Sequence, residues 1–407
     1  MQQPWLLTNE EKRVAAYYNA EIPTDSRLVT PVTSLDELNL NWREKDLPER
    51  ERTKHVHRLH PYLGKFIPQL VEIFLRKYFR AGEVVYDPFC GSGTALVEAN
   101  VLDINAVGCD IAAFNCLLCR VKTAEYNVAL MRKEVLDILA KVEDRTQATL
   151  FSQQWAGDRF EDTDNEYLLK WFAPQARREL LTYRSLIPNY RYQELLKVIL
   201  SRAARSARLT THFDLDFPKQ PQTEPYYCYK HSRVCSPVQE AFKFLKRYSL
   251  DTIRRVEQYS KLRTNAQVTV LCGDARTVSL PGKIDGVITS PPYVGLIDYH
   301  EQHCYAYELL GLPINSKNEI GAAFKGSSRK AKEAYQRGIA SVFAHTAEYM
   351  DSGKRMVIVV RDRDKLYGDI ATQCGFELEN VIRRHVNRRT GRRANEFFED
   401  ILIWRKK

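Results

Sequence analysis

The sequence predicts an α/β protein in which one doubly wound sheet is interrupted by a large, mainly helical insertion. Short hydrophobic strands alternate with turns and helices between residues 60 and 123. Between residues 124 and 265 this alternation stops, and the hydrophobic pattern becomes mainly helical. Strands return after residue 266. The simplest architecture is therefore a single sheet whose chain leaves after the second strand and returns at the third.

These changes of pattern divide the chain into four parts. Residues 1–59 are polar and irregular and are expected to form an N-terminal arm. Residues 60–123 and 266–407 are the two parts of the sheet domain, separated by the insertion over 124–265. The insertion is rich in Arg, Lys and Tyr, and it is the one segment large enough for a separate recognition role.

Individual elements follow from hydrophobic spacing. A helix is predicted over 68–79, where Leu70, Ile73 and Phe74 recur at helical intervals. Next come a strand (83–86), a glycine-rich turn (90–94), a helix (95–101) and a strand (106–109). After the insertion, the predicted strands are 268–271, 285–288, 356–360 and 400–404.

Composition limits the class of protein. The formal net charge of +10 favours a polyanionic partner without proving one. Nine cysteines, an odd number without paired spacing, favour a reducing compartment over a disulfide framework. Positions 1–10 lack a secretory pattern, and no apolar run is long enough to span a bilayer. The sequence is thus expected to be that of a cytoplasmic protein with no membrane partner.

The turn Asp87-Pro88-Phe89-Cys90-Gly91-Ser92-Gly93-Thr94 follows a strand and opens a helix. Gly91 and Gly93 allow backbone N–H groups to approach a ligand closely, and ligands of open α/β sheets bind at this edge. Asp110 ends the next strand, where it can accept hydrogen bonds from a ribose diol. The dinucleotide fingerprint does not fit, because Leu96 stands where its third glycine would be.

This turn resembles motif I of class I S-adenosylmethionine methyltransferases, in the form common to DNA amino-methyltransferases. The segment 60–68, His-Pro-Tyr-Leu-Gly-Lys-Phe-Ile-Pro, is similar to the segment that precedes it in those enzymes. The resemblance implies a Rossmann-like class I fold with S-adenosylmethionine as cofactor. It implies that Asp110 binds the ribose, that Asp274 accepts from the adenine amino group, and that Lys65 and Phe66 border the methionine. The full set of implied cofactor residues is Lys65, Phe66, Asp87, Phe89, Gly91, Gly93, Thr94, Asp110 and Asp274.

The candidate catalytic residues are Ser290, Pro291, Pro292 and Tyr293, directly after the fourth strand. An aryl amino nitrogen is a poor nucleophile because its lone pair is delocalised into the ring. Acceptors aimed at both amino hydrogens, the Ser290 hydroxyl and the Pro291 carbonyl, would localise that pair. The prolines stiffen the turn, and the Tyr293 ring offers a flat face to an extruded base.

In the family that the chain resembles, Ser-Pro-Pro-Tyr is typical of N4-cytosine enzymes, whereas Asp/Asn-Pro-Pro-Tyr/Phe/Trp is typical of N6-adenine enzymes. Carbon-5 methylation would need a cysteine nucleophile in a Pro-Cys context, and none of the nine cysteines follows a proline. Asp298, Tyr299 and His300 are expected either to shape the base pocket or, for Asp298 and Tyr299, to cap a helix and pack in the core.

Three basic groups are candidates for DNA contact. Arg202, Arg205 and Arg208 recur at helical spacing and form either a phosphate-facing row or a solvated helix face. Lys325, Arg329, Lys330 and Lys332 form either a DNA clamp or a mobile surface loop. The run from 383 to 393 is the densest in basic residues and favours nucleic-acid contact.

No metal site is predicted. Cys228, His231 and Cys235 lie close in sequence, but they offer three ligands only and match no known finger spacing. Cys116 and Cys119 lie on a predicted helix without a partner pair, so core packing is the expected role.

Together these features predict a site-specific DNA methyltransferase that transfers methyl groups from S-adenosylmethionine to N4 of cytosine. Its partners would be double-stranded DNA with one base flipped out and, in restriction–modification, a separate cognate endonuclease as a candidate. Three alternatives stay open: N6-adenine methylation at the same site, methylation of an RNA base, and a non-catalytic DNA-binding subunit that keeps the fold. The serine of the tetrad disfavours the first. The absence of an apparent RNA-binding domain disfavours the second, and the complete set of motif residues disfavours the third.

Overall fold

The computed structural model describes residues 22–151, 162–295, 297–362, 364–386 and 397–407, without the side chains of 147–151. The strands in this part of the chain are β1 (Val84–Asp87), β2 (Asn105–Asp110), β3 (Tyr226–Cys228), β4 (Arg233–Cys235), β5 (Val268–Cys272), β6 (Ile284–Thr289), β7 (Met350–Val360), β8 (Phe376–Val386) and β9 (Phe397–Lys406).

Seven of these strands form one sheet in the order β5-β2-β1-β6-β7-β9-β8. The pairs β5–β2, β2–β1, β1–β6 and β6–β7 are parallel, whereas β9 runs antiparallel to both β7 and β8. Strand order reverses at β1, which has β2 on one side and β6 on the other. The predicted doubly wound sheet is confirmed, including the return of the chain at its third strand, β5.

The helices of the described residues are α1 (Glu49–Arg52), α2 (Pro68–Tyr78), α3 (Thr94–Val101), α4 (Ala113–Thr123), α5 (Val128–Phe151), α6 (Glu166–Trp171), α7 (Pro174–Leu186), α8 (Gln193–Ala207), α9 (Phe242–Ser260), α10 (Tyr299–Gln302), α11 (Cys304–Leu310), α12 (Arg329–Ala347) and α13 (Ile370–Gln373). Short 3₁₀ helices occupy Ser26–Leu28, Leu35–Glu37, His55–Arg58, Ile187–Asn189, Ser316–Asn318 and Ala323–Lys325. Across the residues described, no helix is both long and apolar enough to cross a bilayer.

Successive residues of a strand point to opposite faces of the sheet, and here both faces are covered by core side chains. Val85 and Ile288 pack in the core that contains Phe74 of α2. Tyr86 and Val287, their neighbours in the chain, pack instead with Phe343 of α12. This two-sided burial explains why the central strands read as continuous hydrophobic runs in the sequence.

The lead-in to the sheet is irregular, as predicted, but its described part is not a loose arm. Val29, Leu38 and Leu40 are buried in the same core as the α2 side chains. The Ser26 hydroxyl donates to Glu72 of α2 at 2.8 Å. Residues 22–59 therefore stabilise the sheet domain by covering α2, and their lack of regular spacing hid this role in the sequence.

The insertion is mainly helical, with one antiparallel hairpin, β3–β4. Leu180, Leu196 and Val256, from α7, α8 and α9, share one core with Phe114 and Leu117 of α4. The core of the insertion is thus continuous with the helix that follows β2. This packing fixes the insertion against the sheet edge where β2 and β5 end.

Candidate functional site

A cavity of about 660 Å³ opens at the carboxyl ends of β1, β2, β5 and β6. Its position is the switch point of the sheet, where open α/β proteins bind ligands. The lining residues are Tyr62, Pro88, Phe89, Gly91, Asp110, Ile111, Ala112, Gly273, Asp274, Ala275, Ser290, Pro292, Ile297, Tyr299, Asn318, Glu319, Ile320 and Val342. The glycine-rich turn and the Ser-Pro-Pro-Tyr segment therefore share one cavity, as the sequence predicted.

The glycine-rich turn needs glycine for steric reasons. Gly91 has φ +48°, and a Cβ atom there would lie 2.8 Å from the Tyr62 hydroxyl oxygen. Gly93 has φ +79°, and its Cβ would lie 3.0 Å from the Cys119 sulfur. Both the left-handed backbone and the missing side chain are required, so the turn leaves open the space in front of β1.

Asp110 lies at the end of β2, as predicted, and faces this space. Its Oδ2 accepts a hydrogen bond from the Gly91 N–H at 2.9 Å, and Oδ1 accepts from Ala112 N and Asn115 Nδ2 at 2.8 and 3.1 Å. A carboxylate offers about four acceptor positions, so one remains, on Oδ2. Burial raises the pKa of Asp110 to about 6. The remaining position fits one hydroxyl of a ribose diol.

Asp87 lies beneath the turn and is almost fully buried. Its Oδ1 accepts from the Thr289 hydroxyl at 2.6 Å and from the Phe89 N–H at 3.1 Å. Its Oδ2 is buried and has no hydrogen-bond partner. Burial raises the pKa of Asp87 to about 7. An unpaired buried carboxylate oxygen is costly in its ionised form, which agrees with the raised pKa; Asp87 is not among the described residues that line the cavity.

Asp274 lines the cavity but already has a partner. Its two oxygens accept from Arg276 Nε at 2.8 Å and Nη2 at 2.5 Å, and Oδ1 also accepts from the Arg276 backbone N–H at 3.0 Å. This pairing lowers the pKa of Asp274. Arg276 Nε also lies 3.1 Å from Oδ2, so each oxygen has two contacts, and the carboxylate would have to give up one of them to accept from an adenine amino group. That role stays a prediction.

An aromatic wall was missed in the sequence. The Tyr62 ring stacks on Tyr299, with centroids 5.2 Å apart and planes 12° from parallel. The Tyr62 hydroxyl accepts from Asn115 at 3.2 Å, and Asn115 also donates to Asp110. Tyr62 belongs to the segment 60–68 that resembles the cofactor-binding lead-in, so its aromatic type in that segment was the available signal.

Ser290 is hydrogen bonded in a defined direction. Its hydroxyl donates to the carbonyl oxygen of Val359, on the neighbouring strand β7, at 3.0 Å. Ser290 and Pro292 both line the cavity. The hydroxyl proton is thereby committed to the backbone, and the oxygen lone pairs remain available as acceptors.

Tyr293 is oriented by the last strand of the sheet. Its hydroxyl donates to Glu399 of β9 at 3.0 Å, and Glu399 is held by Arg384 of β8 at 2.5 Å. The Tyr293 and Phe397 ring centroids are 6.4 Å apart. Burial beside Glu399 raises the pKa of Tyr293, which keeps the phenol neutral. Tyr293 does not belong to the lining of the main cavity, and its contact with a base stays a prediction.

The remaining predicted cofactor residues do not line the cavity. Lys65 and Phe66 are not among the described residues that line the cavity, and neither are Gly93 and Thr94. The Lys65 ammonium donates to the His57 carbonyl at 3.1 Å, and burial lowers its pKa to about 8. Phe66 packs beside the core around α2. Any effect of these four residues on a cofactor would act through the turn and the segment that they support.

Of the residues after the tetrad, Asp298 caps α10, with Oδ1 accepting from the Glu301 N–H at 2.9 Å. The capping alternative is therefore confirmed. His300 is buried and hydrogen bonds to Glu319. Tyr299 lines the cavity through its stack on Tyr62.

The predicted arginine row on α8 is wrong in both of its alternatives. Arg202 pairs with Asp251 at 2.8 Å, and Arg205 pairs with Asp216 at 2.7 Å. Arg208 is 2% exposed and donates to the Leu215 carbonyl at 2.6 Å. Helical spacing placed the three on one face, but that face is turned inward, where Asp251 and Asp216 pair with two of the arginines and a backbone carbonyl accepts from the third.

The other basic groups have mixed outcomes. Arg329, Lys330 and Lys332 begin α12 and are not in a loop, and Lys332 pairs with Asp364. A second, open cavity of about 1050 Å³ adjoins the first at Asn318–Ile320; its lining includes four basic side chains, Arg276, Lys317, Lys325 and Lys330, of which Arg276 is paired with Asp274. Arg383 and Arg384 are paired with Asp400 and Glu399. The rest of the basic run, from 387 to 393, lies outside the described residues.

The expectation of three nearby ligands at Cys228, His231 and Cys235 is also corrected. The fold brings His212 to the same point, so that four ligand atoms lie within 4.8 Å of one another. Cys116 and Cys119 are buried in α4 and are not part of that cluster, in agreement with their predicted packing role.

Comparison with known proteins identifies a matching family and several relatives of this chain. A family model described as DNA methylase matches residues 5–119. The chain is 38% identical to the type II methyltransferase M.MjaII of Methanocaldococcus jannaschii, over 88% of this chain and 81% of that protein. It is 25% identical to the type II methyltransferase M.BsoBI of Geobacillus stearothermophilus, over 66% of this chain and 55% of that protein. Among solved structures, TrmN from Thermus thermophilus has a TM-score of 0.34 at 11% identity, covering 85% of this chain and 50% of that chain.

Proposed function

Because the chain belongs to the type II DNA methyltransferase family, a class I family whose cofactor is S-adenosylmethionine, we propose that it methylates N4 of cytosine in double-stranded DNA. Methylation of DNA is what the chain shares with its family. The cytosine target, the flipped base and the roles of individual residues are proposed in addition to what family membership shows.

The cavity residues suit this cofactor. The glycine-rich turn leaves room beside β1, and Asp110 keeps one free acceptor position for a ribose hydroxyl. Apolar side chains, Phe89, Ile111, Ile320 and Val342, supply walls for an adenine ring. The cofactor supplies a methyl group already activated by its sulfonium, so the task of the protein is to position the acceptor nitrogen.

The observation that carries the proposal is the hydrogen bond from Ser290 Oγ to the Val359 carbonyl. A serine hydroxyl usually rotates to suit its partner. Here the proton is engaged by the backbone, so the oxygen presents lone pairs and can accept one amino hydrogen of the base. The Pro291 carbonyl accepts the other. Drawing both hydrogens out of the ring plane localises the nitrogen lone pair, which makes the nitrogen nucleophilic.

The serine also favours cytosine over adenine. The Ser-Pro-Pro-Tyr form is typical of N4-cytosine members of the family that the sequence resembles, whereas N6-adenine members typically begin the tetrad with Asp or Asn. Ser290 with its neutral acceptor therefore supports N4 of cytosine as the target.

A paired base cannot reach the cavity, because its amino group is inside the duplex. We propose that the target base is flipped out and packs against the Tyr293 ring, whose orientation is fixed by Glu399. The second, basic cavity adjoins the first and would attract the sugar–phosphate backbone near the flipped nucleotide. Arg276, Lys317, Lys325 and Lys330 are the residues proposed for this contact.

The direct test is product analysis. The protein is incubated with isotopically labelled S-adenosylmethionine and unmethylated genomic DNA, and the DNA is digested to nucleosides. The expected labelled product is N4-methylcytosine. Labelled N6-methyladenine would overturn the cytosine assignment, and labelling confined to a parallel RNA sample would overturn the DNA substrate. A Ser290→Ala sample controls for contaminating methyltransferases.

We also propose that the enzyme acts in restriction–modification with a separate cognate endonuclease, which the type II names of its relatives support. Sequencing of the methylated product DNA would give the recognition site. DNA modified at that site is expected to resist cleavage by an endonuclease of the same specificity. Unchanged cleavage of fully modified DNA would contradict this role.

A further inference from the structure

Four potential metal ligands converge in the insertion: three lie close together in sequence, and the fourth, His212, precedes them by 16 positions. His212 precedes the hairpin, Cys228 ends β3, His231 lies in the turn, and Cys235 ends β4. One atom from each, two imidazole nitrogens and two sulfurs, lies within 4.8 Å of all the others. The spacing His-x15-Cys-x2-His-x3-Cys hides the cluster, because His212 lies in the loop after α8.

The distances within the cluster match a tetrahedral zinc site. Cys228 Sγ lies 3.5 Å from His212 Nδ1 and 3.5 Å from His231 Nδ1, and Cys235 Sγ lies 3.6 Å from His231 Nδ1. Zinc–sulfur bonds of about 2.3 Å and zinc–nitrogen bonds of about 2.0–2.1 Å, at tetrahedral angles, give S···N separations of about 3.5–3.6 Å. All three measured edges agree with this value.

The surrounding segment lacks an apolar core of its own. Between residues 211 and 236, the buried apolar side chains are Cys228 and Cys235. The large apolar residues Phe213, Tyr227, Tyr229 and Val234 are each more than half exposed. A two-stranded hairpin with three residues in each strand is not stable by itself in water, so another interaction must hold it. A metal centre is one of the few devices that stabilise so small a unit.

We propose that His212, Cys228, His231 and Cys235 bind one structural zinc ion that fixes the β3–β4 hairpin to the end of α8. Four protein ligands fill the tetrahedron, which leaves no open position for a water or substrate, so the role is structural. On binding, the two thiols release their protons to solvent and coordinate as thiolates, and both histidines coordinate through Nδ1.

A nearby tyrosine is compatible with this arrangement. The Tyr226 hydroxyl lies 2.8 Å from His212 Nδ1 and accepts from the His212 backbone N–H at 3.0 Å. When zinc occupies Nδ1, the hydroxyl keeps the contact with the backbone N–H. Tyr226 then positions the loop that carries His212 without being a ligand.

The zinc would also determine what the hairpin presents at the surface. Tyr229 is 76% exposed and makes an edge-to-face contact with Tyr227, at 5.0 Å between centroids. Lys230 and Arg233 are exposed beside them. Loss of the metal is therefore expected to disorder this exposed aromatic and basic surface together with the hairpin.

Metal analysis of the purified full-length protein tests the proposal. After addition of zinc and removal of the excess, elemental analysis is expected to find about one zinc per chain. Cys228→Ser and His212→Ala are each expected to lower zinc retention at least tenfold, whereas Cys304→Ser, a matched control outside the cluster, retains it. Far less than one zinc in the wild-type protein, or equal retention in the cluster variants, would overturn the proposal.

A second measurement covers variants that fail to fold. Cobalt(II) replaces zinc in the wild-type protein, and a tetrahedral site with two thiolates gives intense visible bands and sulfur-to-cobalt charge transfer. Added zinc is expected to remove these bands. Weak octahedral absorption alone would overturn the site. Both measurements are independent of methyltransferase activity, so they do not depend on the proposed function.

Discussion

The Thr289 hydroxyl donates a 2.6 Å hydrogen bond to Oδ1 of Asp87 and thereby joins the last residues of two adjacent strands, β6 and β1. Asp87 begins the turn that forms the cofactor cavity, and Thr289 immediately precedes Ser290. The bond is fully buried. It therefore fixes the distance between the two halves of the site, and neither residue needs to contact the substrate to affect the reaction.

Thr289→Val keeps the shape of the side chain and removes the donor. We expect kcat to fall by about 10- to 100-fold, because displacements of about 1 Å at a reacting centre cost that much. The KM for DNA should change little, since Thr289 is not part of the basic cavity. Single-turnover methylation and steady-state kinetics measure the two effects.

Thr289→Ser is the matched control, because it restores the hydroxyl. Its kcat should lie within about threefold of the wild-type value, whereas a purely structural role for the threonine methyl group would leave serine as impaired as valine. An equal loss in both variants would contradict the positioning role of the hydrogen bond.

Ser290→Ala removes the hydroxyl acceptor but leaves the cofactor walls in place. Cofactor affinity, measured by calorimetry, should stay within about threefold of wild type. Methyl transfer should fall by about 100-fold or more, because one of the two acceptors for the amino hydrogens is lost where charge develops. Equal loss of cofactor binding and turnover would show that Ser290 supports the fold and not the reaction.

Cofactor binding should weaken in mild acid. Burial raises the pKa of Asp110 to about 6, so the carboxylate acceptor is present above that pH and is lost as the pH falls through it. The Kd should increase by about tenfold between pH 7 and pH 5, if only the ionised form binds. Asp110→Asn should bind weakly with a flatter pH profile. A wild-type Kd that is constant from pH 8 to pH 5 would contradict this role.

The same shift has the opposite sign for stability. The folded-state pKa of Asp110 lies above its value in an unfolded chain, so the folded state binds the proton more tightly. The contribution of this group to the free energy of unfolding therefore increases as the pH falls from about 6 towards 4. Weaker cofactor binding in this window cannot be caused by destabilisation through Asp110.

Gly91→Ala should abolish cofactor binding. The new Cβ would lie 2.8 Å from the Tyr62 hydroxyl oxygen, and the backbone angle of +48° is unfavourable for alanine. Tyr62→Phe in the same chain removes the oxygen and should recover part of the thermal stability lost in the single variant. Calorimetric binding and melting curves follow both properties. A Gly91→Ala protein with unchanged Tm and Kd would contradict the steric argument.

Arg208→Ala should reduce stability without a direct loss of DNA contact. The guanidinium donates to the Leu215 carbonyl and lies 4.5 Å from the centroid of the Tyr305 ring, so its removal should cost about 2–3 kcal/mol of unfolding free energy.

Lys330→Ala, in the basic cavity, should show the reverse: unchanged urea unfolding and weaker, less salt-dependent DNA binding. Unchanged unfolding together with weaker DNA binding in Arg208→Ala would contradict this assignment and place Arg208 at the DNA interface.

The central strands could be predicted from sequence to within about two residues, because both of their faces are buried and their residues form uninterrupted apolar runs. Strand β8 was missed. It is the edge strand of the sheet, and in Phe376–Val386 only Phe376 and Arg384 are buried, so no hydrophobic pattern marks it. The first half of β7 is polar and mostly exposed although β7 lies inside the sheet, so it carries no apolar run and was not predicted.

The candidate site was predictable where a single segment carries the chemistry. The glycine-rich turn, Asp110 and Ser290 follow directly after strands, and they meet because parallel strands end at one edge. No sequence pattern marks contacts between segments that are distant in the chain. Neither the pairing of Arg202 with Asp251 nor the approach of His212 to Cys228 can be read from spacing, because both depend on how loops return across the insertion.

The ladder between β2 and β5 joins Ala106 to Val268, with the whole insertion between them. On the ribosome, Asp110 would emerge long before Asp274, and Ser290 and Val342 later still. The nascent chain therefore passes through a long period in which one edge of β2 is unpaired and no methyl donor can be held. The insertion, residues 124–265, is therefore synthesised in full before β5 can pair with that edge and before Ser290 completes the site.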